Sequence, residues 1–221
     1  MTVNRQNRLV IGTRRYSSWS LRGWLAVRLA GLDVQDVVIP LRGGGQTTEI
    51  HDVSPNGLVP YLEHDGACVW ESLAICEYCA EHEPTLWPSD RLARAHARSV
   101  SAEMHAGFSA LRRALPMNLG RFAPRAALDD AAMQDIASID RLWRAALAQY
   151  GGKFLFGDKL TVADVMYVPV VLRFESYQIA TSRPVQDYMR AIVAHPLVQL
   201  WRDLAAQEPA AWHLERYEAL D

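Results

Sequence analysis

The sequence predicts an α/β unit followed by an all-helical unit. Two observations carry this. Up to about Glu83, short apolar runs and helical periods succeed one another as strand, helix, strand, hairpin and helix. At Glu83-Pro84-Thr85-Leu86-Trp87-Pro88 two prolines break any helix, and beyond them come long helical periods with few strand signals. The boundary falls near Trp87 and gives units over residues 1–86 and 87–221.

Leu9-Val10-Ile11-Gly12 reads as the first strand. A polar loop with Tyr16-Ser17-Ser18-Trp19-Ser20 leads into a helix carrying Leu21, Trp24, Leu25, Val27 and Leu29 largely on one side, and Gly31 ends it. Val34, Val37, Val38 and Ile39 suggest a second strand that Pro40 stops. Gly43-Gly44-Gly45 lies in a loop without phosphate-loop context, because no Gly-Lys-Ser/Thr follows. Thr47 to Val53 reads as a short or irregular helix. Then Ser54 to Ile75 gives turn, strand, tight turn, strand and helix. Asp65-Gly66 favours a two-residue hairpin, and Ser72 is placed as the N-cap of the next helix. Pro60 is unusual there: proline cannot donate a ladder hydrogen bond, so it starts a trans strand or forms a special cis turn.

In the second unit, Met104, Phe108, Leu111 and Leu115 recur at helical spacing and predict one helix that Pro116 stops. Ile136, Trp143, Leu147 and Tyr150 repeat the pattern before Gly151-Gly152. Thr161 with Asp164 reads as a capping box, and Leu160 with Val165 as its hydrophobic staple. The helix behind them is apolar nearly all round and so is central and buried, and Pro169 is expected to kink it.

Half of the 221 residues are hydrophobic and the net charge is −2. That is an ordinary globular composition, with no basic footprint for nucleic acid and no apolar run of membrane-spanning length. Met1 to Arg8 is polar and lacks an apolar signal core, so a cytoplasmic location is expected. There are three cysteines, too few and too odd for a disulfide scaffold. Cys76 and Cys79 form C-x-x-C inside a helix, away from the helix start that lowers a thiol pKa, and are read as core residues. No second ligand pair supports a metal, and the seven histidines are scattered, so none is assigned to chemistry.

The run Leu58-Val59-Pro60, Asp65-Gly66, Glu71-Ser72-Leu73-Ala74-Ile75 and Tyr78 resembles the end of the thioredoxin-like domain of glutathione transferases. The resemblance implies a cis Val59-Pro60 bond, whose backbone pairs with the cysteinyl part of glutathione. It implies that Glu71 and Ser72 hold the γ-glutamyl end. Thr161-x-x-Asp164 resembles the structural box of the family's central helix. Ser17-Ser18-Trp19-Ser20-Leu21-Arg22 is similar to the Ser-Ser-Cys-Ser-Trp-Arg motif of the zeta class, which includes maleylacetoacetate isomerase. By that resemblance Ser17 acts on the sulfur, with Ser18 beside it, and Gln46 is a further glutathione contact. Trp19 stands where the class has its cysteine. Tyr16 is the other hydroxyl within reach.

A hydroxyl at a helix N-terminus can donate to a thiolate, with the helix dipole helping. Ionising a thiol of pKa near 8.5 at neutral pH takes a shift of about two units, or about 2.7 kcal/mol. A charge-assisted hydrogen bond contributes roughly 1.5–3 kcal/mol, and the helix terminus about 0.3–1 kcal/mol. No metal or catalytic base is needed. The expectation is a glutathione S-transferase that attacks a small hydrophobic or acidic electrophile, a homodimer by family. The electrophile would lie between the units, near Met104, Phe108, Leu111 and Arg112. The alternatives are a glutathione-dependent isomerase or dehalogenase, or a non-catalytic ligand- or protein-binding protein of this fold. Arg173 reads as a solvated helix end, with contact to an acidic substrate as the alternative.

Overall fold

The computed structural model describes residues 7–124 and 127–219; the reading of Met1 to Gln6 lies outside them. Four strands form one sheet: β1 (Arg8–Gly12), β2 (Gln35–Ile39), β3 (Tyr61–His64) and β4 (Ala67–Trp70), in the order β2-β1-β3-β4. β1 runs parallel to β2 and antiparallel to β3, and β3 runs antiparallel to β4. A parallel pair needs a crossover, and α1 (Ser18–Leu29) supplies it. The hairpin turns at Asp65 and Gly66, with φ of 49° and 83°, the positive pair that a two-residue turn demands.

Strand alternation sends β1 side chains to opposite faces. Leu9 and Ile11 join Leu62, Leu21 and Leu25 of α1, and Ile75, Cys76 and Cys79 of α2 (Ser72–His82) in the main core. Val10, Ile39 and Tyr61 form a smaller cluster with Ile50 on the other face. Ile50 ends a short 3-10 turn, Thr48–Ile50, where the sequence suggests an irregular helix. Burial pushes the Cys76 thiol well up and that of Cys79 to about 12; both behave as small apolar residues.

The Val59-Pro60 bond is cis, as the resemblance implies. Ser72 is not the cap of α2. Glu71 holds that position, at φ 70° and without a capping side-chain bond, and Ser72 is the first helical residue. A non-glycine residue at such a φ costs on the order of 1–3 kcal/mol and persists where its surroundings fix it.

A short 3-10 turn (Pro84–Leu86) leads to α3 (Arg91–Ala106), whose N-cap Asp90 accepts from the Leu92 and Ala93 amides at 3.0 and 2.8 Å. The predicted helix through Met104 and Leu115 is broken in two. α3 stops at Gly107, Phe108 takes a left-handed φ of 54°, and α4 (Ser109–Ala114) begins anew. A Cβ at Gly107 would lie 2.7 Å from the Glu103 carbonyl, so glycine permits this tight exit. Met104, Phe108, Leu111 and Leu115 are all buried despite the break. α5 (Asp130–Tyr150), α6 (Val162–Ser176), α7 (Arg183–Val193) and α8 (Pro196–Ala206) follow. A last 3-10 turn (Ala210–Trp212) leads into α9 (Glu215–Glu218).

α6 is buried nearly throughout, as its composition predicts, and continues past Pro169. The Asp164 carboxylate accepts from the Thr161 amide and hydroxyl at 2.8 and 2.9 Å, and from the Leu155 amide at 2.9 Å. α1 packs against both α6 and α8. Arg22, fully buried on α1, donates from Nε to the Met166 carbonyl at 2.8 Å and ties the sheet unit to the helical one. Trp24 meets Trp201 of α8, with ring centroids 5.3 Å apart.

Candidate functional site

Two adjoining cavities lie where the sheet unit meets the helices. The larger, about 430 Å³, opens at the start of α1, beside Ser17, Ser18 and the Gly43–Gly45 loop. The smaller, about 260 Å³, is lined by Pro60, Glu71, Ser72 and His105. Trp19, Leu58, Val59 and Arg112 border both.

Ser17 is the N-cap of α1. Its Oγ accepts from the Ser20 amide at 3.3 Å, and its hydroxyl donates to Ser20 Oγ at 2.7 Å. Ser20 Oγ also accepts from the Gly12 amide at 3.0 Å. The Gly12 amide and the Ser17 hydroxyl thus converge on Ser20 Oγ, which links the end of β1 to the mouth of the cavity. Ser18 Oγ accepts from Arg173 Nη2 at 3.2 Å. Arg173 is 4% exposed, so it is no solvated helix end; carbonyls at Leu115 and Pro169 take its other donors.

Tyr16 is engaged elsewhere. Its hydroxyl donates to Glu218 and accepts from the Leu214 amide at 3.1 Å. Burial and the Glu218 carboxylate push the phenol up to about 12. Both hydrogen-bonding directions are spent on the C-terminal segment, which leaves Ser17 and Ser18 as the hydroxyls at the start of α1 that are not tied to it.

In the smaller cavity Ser72 is 1% exposed, and its Oγ is buried without a hydrogen-bond partner among the described residues. Native structures rarely leave such an oxygen unpaired. It sits at the N-terminus of α2, where backbone amides and the helix dipole favour negative charge. Glu71, presented by its positive φ, faces His105, with Oε2 3.7 Å from Nε2. His105 went unassigned in the sequence, since a lone histidine carries no spacing signal.

Gln46 is exposed and borders neither cavity; its amide donates to the Gly43 carbonyl at 3.1 Å. Of the helix expected to meet the electrophile, Arg112 reaches the cavities, while Met104, Phe108 and Leu111 face the core. The Trp19 ring has guanidinium groups near it, Arg22 at 4.5 Å and Arg112 at 5.3 Å from the centroid, and His105 against its edge. These are cation–π contacts that bring positive charge to the cleft without a thiol. Arg112, Arg173 and Arg216 line the larger cavity, and among the described residues no carboxylate does.

A four-stranded mixed sheet with this cis-proline cleft, joined to a helical unit, belongs to the two-domain proteins built on a thioredoxin-like fold. Comparison with known proteins is more specific. The family model "Glutathione S-transferase, N-terminal domain" matches residues 16–82, and "Glutathione S-transferase, C-terminal domain" matches residues 94–204. The chain belongs to the glutathione S-transferase family. It is 32% identical to mouse maleylacetoacetate isomerase, over 76% of this chain and 78% of that protein. It is 31% identical to maleylacetoacetate isomerase of Pseudomonas aeruginosa, over 89% of this chain and 90% of that one. A Burkholderia glutathione transferase homolog, solved with bound glutathione, superposes with a TM-score of 0.68 at 24% identity, covering 93% of this chain and all of that one.

Proposed function

We propose that this chain is a glutathione-dependent transferase that ionises the glutathione thiol at the start of α1 for attack on a small electrophile. The observation that carries this is the buried Ser72 Oγ at the N-terminus of α2, without a partner among the described residues, in a cleft that continues to the hydroxyls of Ser17 and Ser18. Ser72, Glu71 and the α2 amides receive the γ-glutamyl end. The backbone of Val59 and Pro60 pairs with the cysteinyl residue, and the sulfur reaches the larger cavity. Hydroxyls rotate to suit their partners. When the thiol proton leaves to solvent, Ser17 turns its O–H from Ser20 to the sulfur, and the Ser20 hydroxyl turns to donate to Ser17. The Gly12 amide continues to support Ser20. Gln46 is a glutathione contact only if its loop turns inward. The working unit is a homodimer.

The charge of the larger cavity favours an acidic electrophile, since three arginines and, among the described residues, no carboxylate line it. The relatives named maleylacetoacetate isomerase favour a second reading at the same site. There the thiolate adds reversibly to an unsaturated acid, the former double bond rotates, and elimination returns glutathione. Trp19 supplies no thiol to such a step, so Ser17 and the arginines would carry it. Ser17→Ala with a panel of electrophiles and cis-unsaturated diacids tests both. A loss of on the order of tenfold or more in kcat with little change in glutathione affinity supports the proposal; unchanged turnover on every substrate that the wild type accepts removes Ser17 from it.

A further inference from the structure

Arg173 brings a positive charge into the interior with no Asp or Glu at ion-pair distance among the described residues. Charged and titratable groups face it from several elements. Arg22 comes from α1, Arg112 from α4, Tyr177 from the end of α6 and Tyr217 from α9. Burial and the charge of Arg112 lower its pKa to about 10, while the two tyrosines raise it. A buried guanidinium beside like charge is costly unless an anion completes the arrangement. The backbone keeps it there: Nε donates to the Leu115 carbonyl at 2.7 Å and Nη1 to the Pro169 carbonyl at 3.2 Å. Those two bonds fix the plane of the guanidinium and aim Nη2 at Ser18 Oγ, 3.2 Å away. Ser18 lines the larger cavity, and its own proton is given to no group among the described residues.

We propose that Arg173 is a positioning residue for the glutathione thiolate, acting through Ser18. The guanidinium holds and polarises the Ser18 hydroxyl, so that its O–H donates to the sulfur beside that of Ser17. This rests on the reading of the cleft as a glutathione site. A hydrogen bond received from a cation strengthens the one a hydroxyl gives in the same chain. Ser17 has only backbone amides and Ser20 behind it; Ser18 has a full charge. No covalent step is involved: the thiol proton goes to solvent and the anion accepts two O–H bonds.

The test is an ultraviolet titration of the thiolate in the protein saturated with glutathione, for wild type, Ser18→Ala, Ser18→Thr, Arg173→Met and the Ser18→Ala/Arg173→Met double variant. Ser18→Ala is expected to raise the bound thiol pKa by about one unit, a tenfold loss of thiolate below that pKa. Ser18→Thr should keep the wild-type value. Arg173→Met should raise it similarly, and the double variant should add little, as expected of two groups acting in series. Arg173→Met should lower the melting temperature, and if it fails to fold, the two Ser18 variants still decide. An unmoved thiol pKa in Ser18→Ala overturns the proposal while leaving the glutathione site intact. Full additivity overturns the action through Ser18. A wild type that neither binds glutathione nor lowers its thiol pKa overturns the site itself.

Discussion

At the scale of single residues, the cleft is recognised by what its polar groups lack. Among the described residues Ser72 Oγ has no partner, whereas the Tyr16 hydroxyl has two. Ser72→Ala should weaken glutathione binding on the order of tenfold, the effect of losing one hydrogen bond to a charged ligand group. Calorimetric titration measures it, and an unaltered affinity would count against the γ-glutamyl assignment. Tyr16→Phe should leave the thiol pKa of bound glutathione in place, because its hydroxyl is spent on Glu218 and Leu214; a marked rise would make Tyr16 the donor after all. Ser17, Ser18, Glu71 and Ser72 are candidates the sequence offers because their order along the chain matches a known arrangement, and each lines one of the two cavities. Their geometry was less legible. A serine before an apolar helical run looks like a cap, and only the backbone at Glu71 shows that the cap lies one residue earlier. Arg173 was misread for a similar reason: an arginine near a helix end is usually solvated, and nothing local tells that a carbonyl from Leu115 will bury it.

At the scale of elements, the sheet and α6 were the most legible parts. Period-2 apolar runs, an Asp-Gly turn and a Thr-x-x-Asp box each have one dominant physical meaning. The break between α3 and α4 was not, because the apolar spacing from Met104 to Leu115 survives it and every one of those side chains is buried. The box in α6 makes its own prediction. Burial raises the Asp164 carboxyl to about 6 against the pull of its three donors. The unfolded value is about 3.9. The folded state therefore holds this proton more tightly, and the stability it contributes is full below about pH 4 and lost as pH rises through about 6. Asp164→Asn should destabilise the protein by about 1–3 kcal/mol through mispaired buried amides. In urea unfolding, the margin of wild type over variant should narrow between about pH 4 and 6. A margin that widens across that window would contradict the protonation assigned to Asp164.

At the scale of the whole molecule, the site depends on three parts of the chain meeting: the start of α1, the start of α2 and the C-terminal segment. Glu218 fastens the last. Burial would raise its carboxyl, but hydrogen bonds from Arg15 and Tyr16 hold it at about 2. With an unfolded value of about 4.3, this clasp contributes in full above that pH and is lost as pH falls through about 2. Glu218→Gln should therefore speed hydrogen exchange at Leu214 and Tyr217 at neutral pH, and equal protection in the variant would remove the clasp from the account. On the proposed reading, the cleft between the two units binds glutathione and ionises its thiol. Titrating the thiol of glutathione bound to the wild-type protein tests this most directly. The account predicts a thiolate forming with a pKa about two units below the free value of ~8.5, moved back towards it by Ser17→Ala. A bound thiol that titrates where free glutathione does would contradict it.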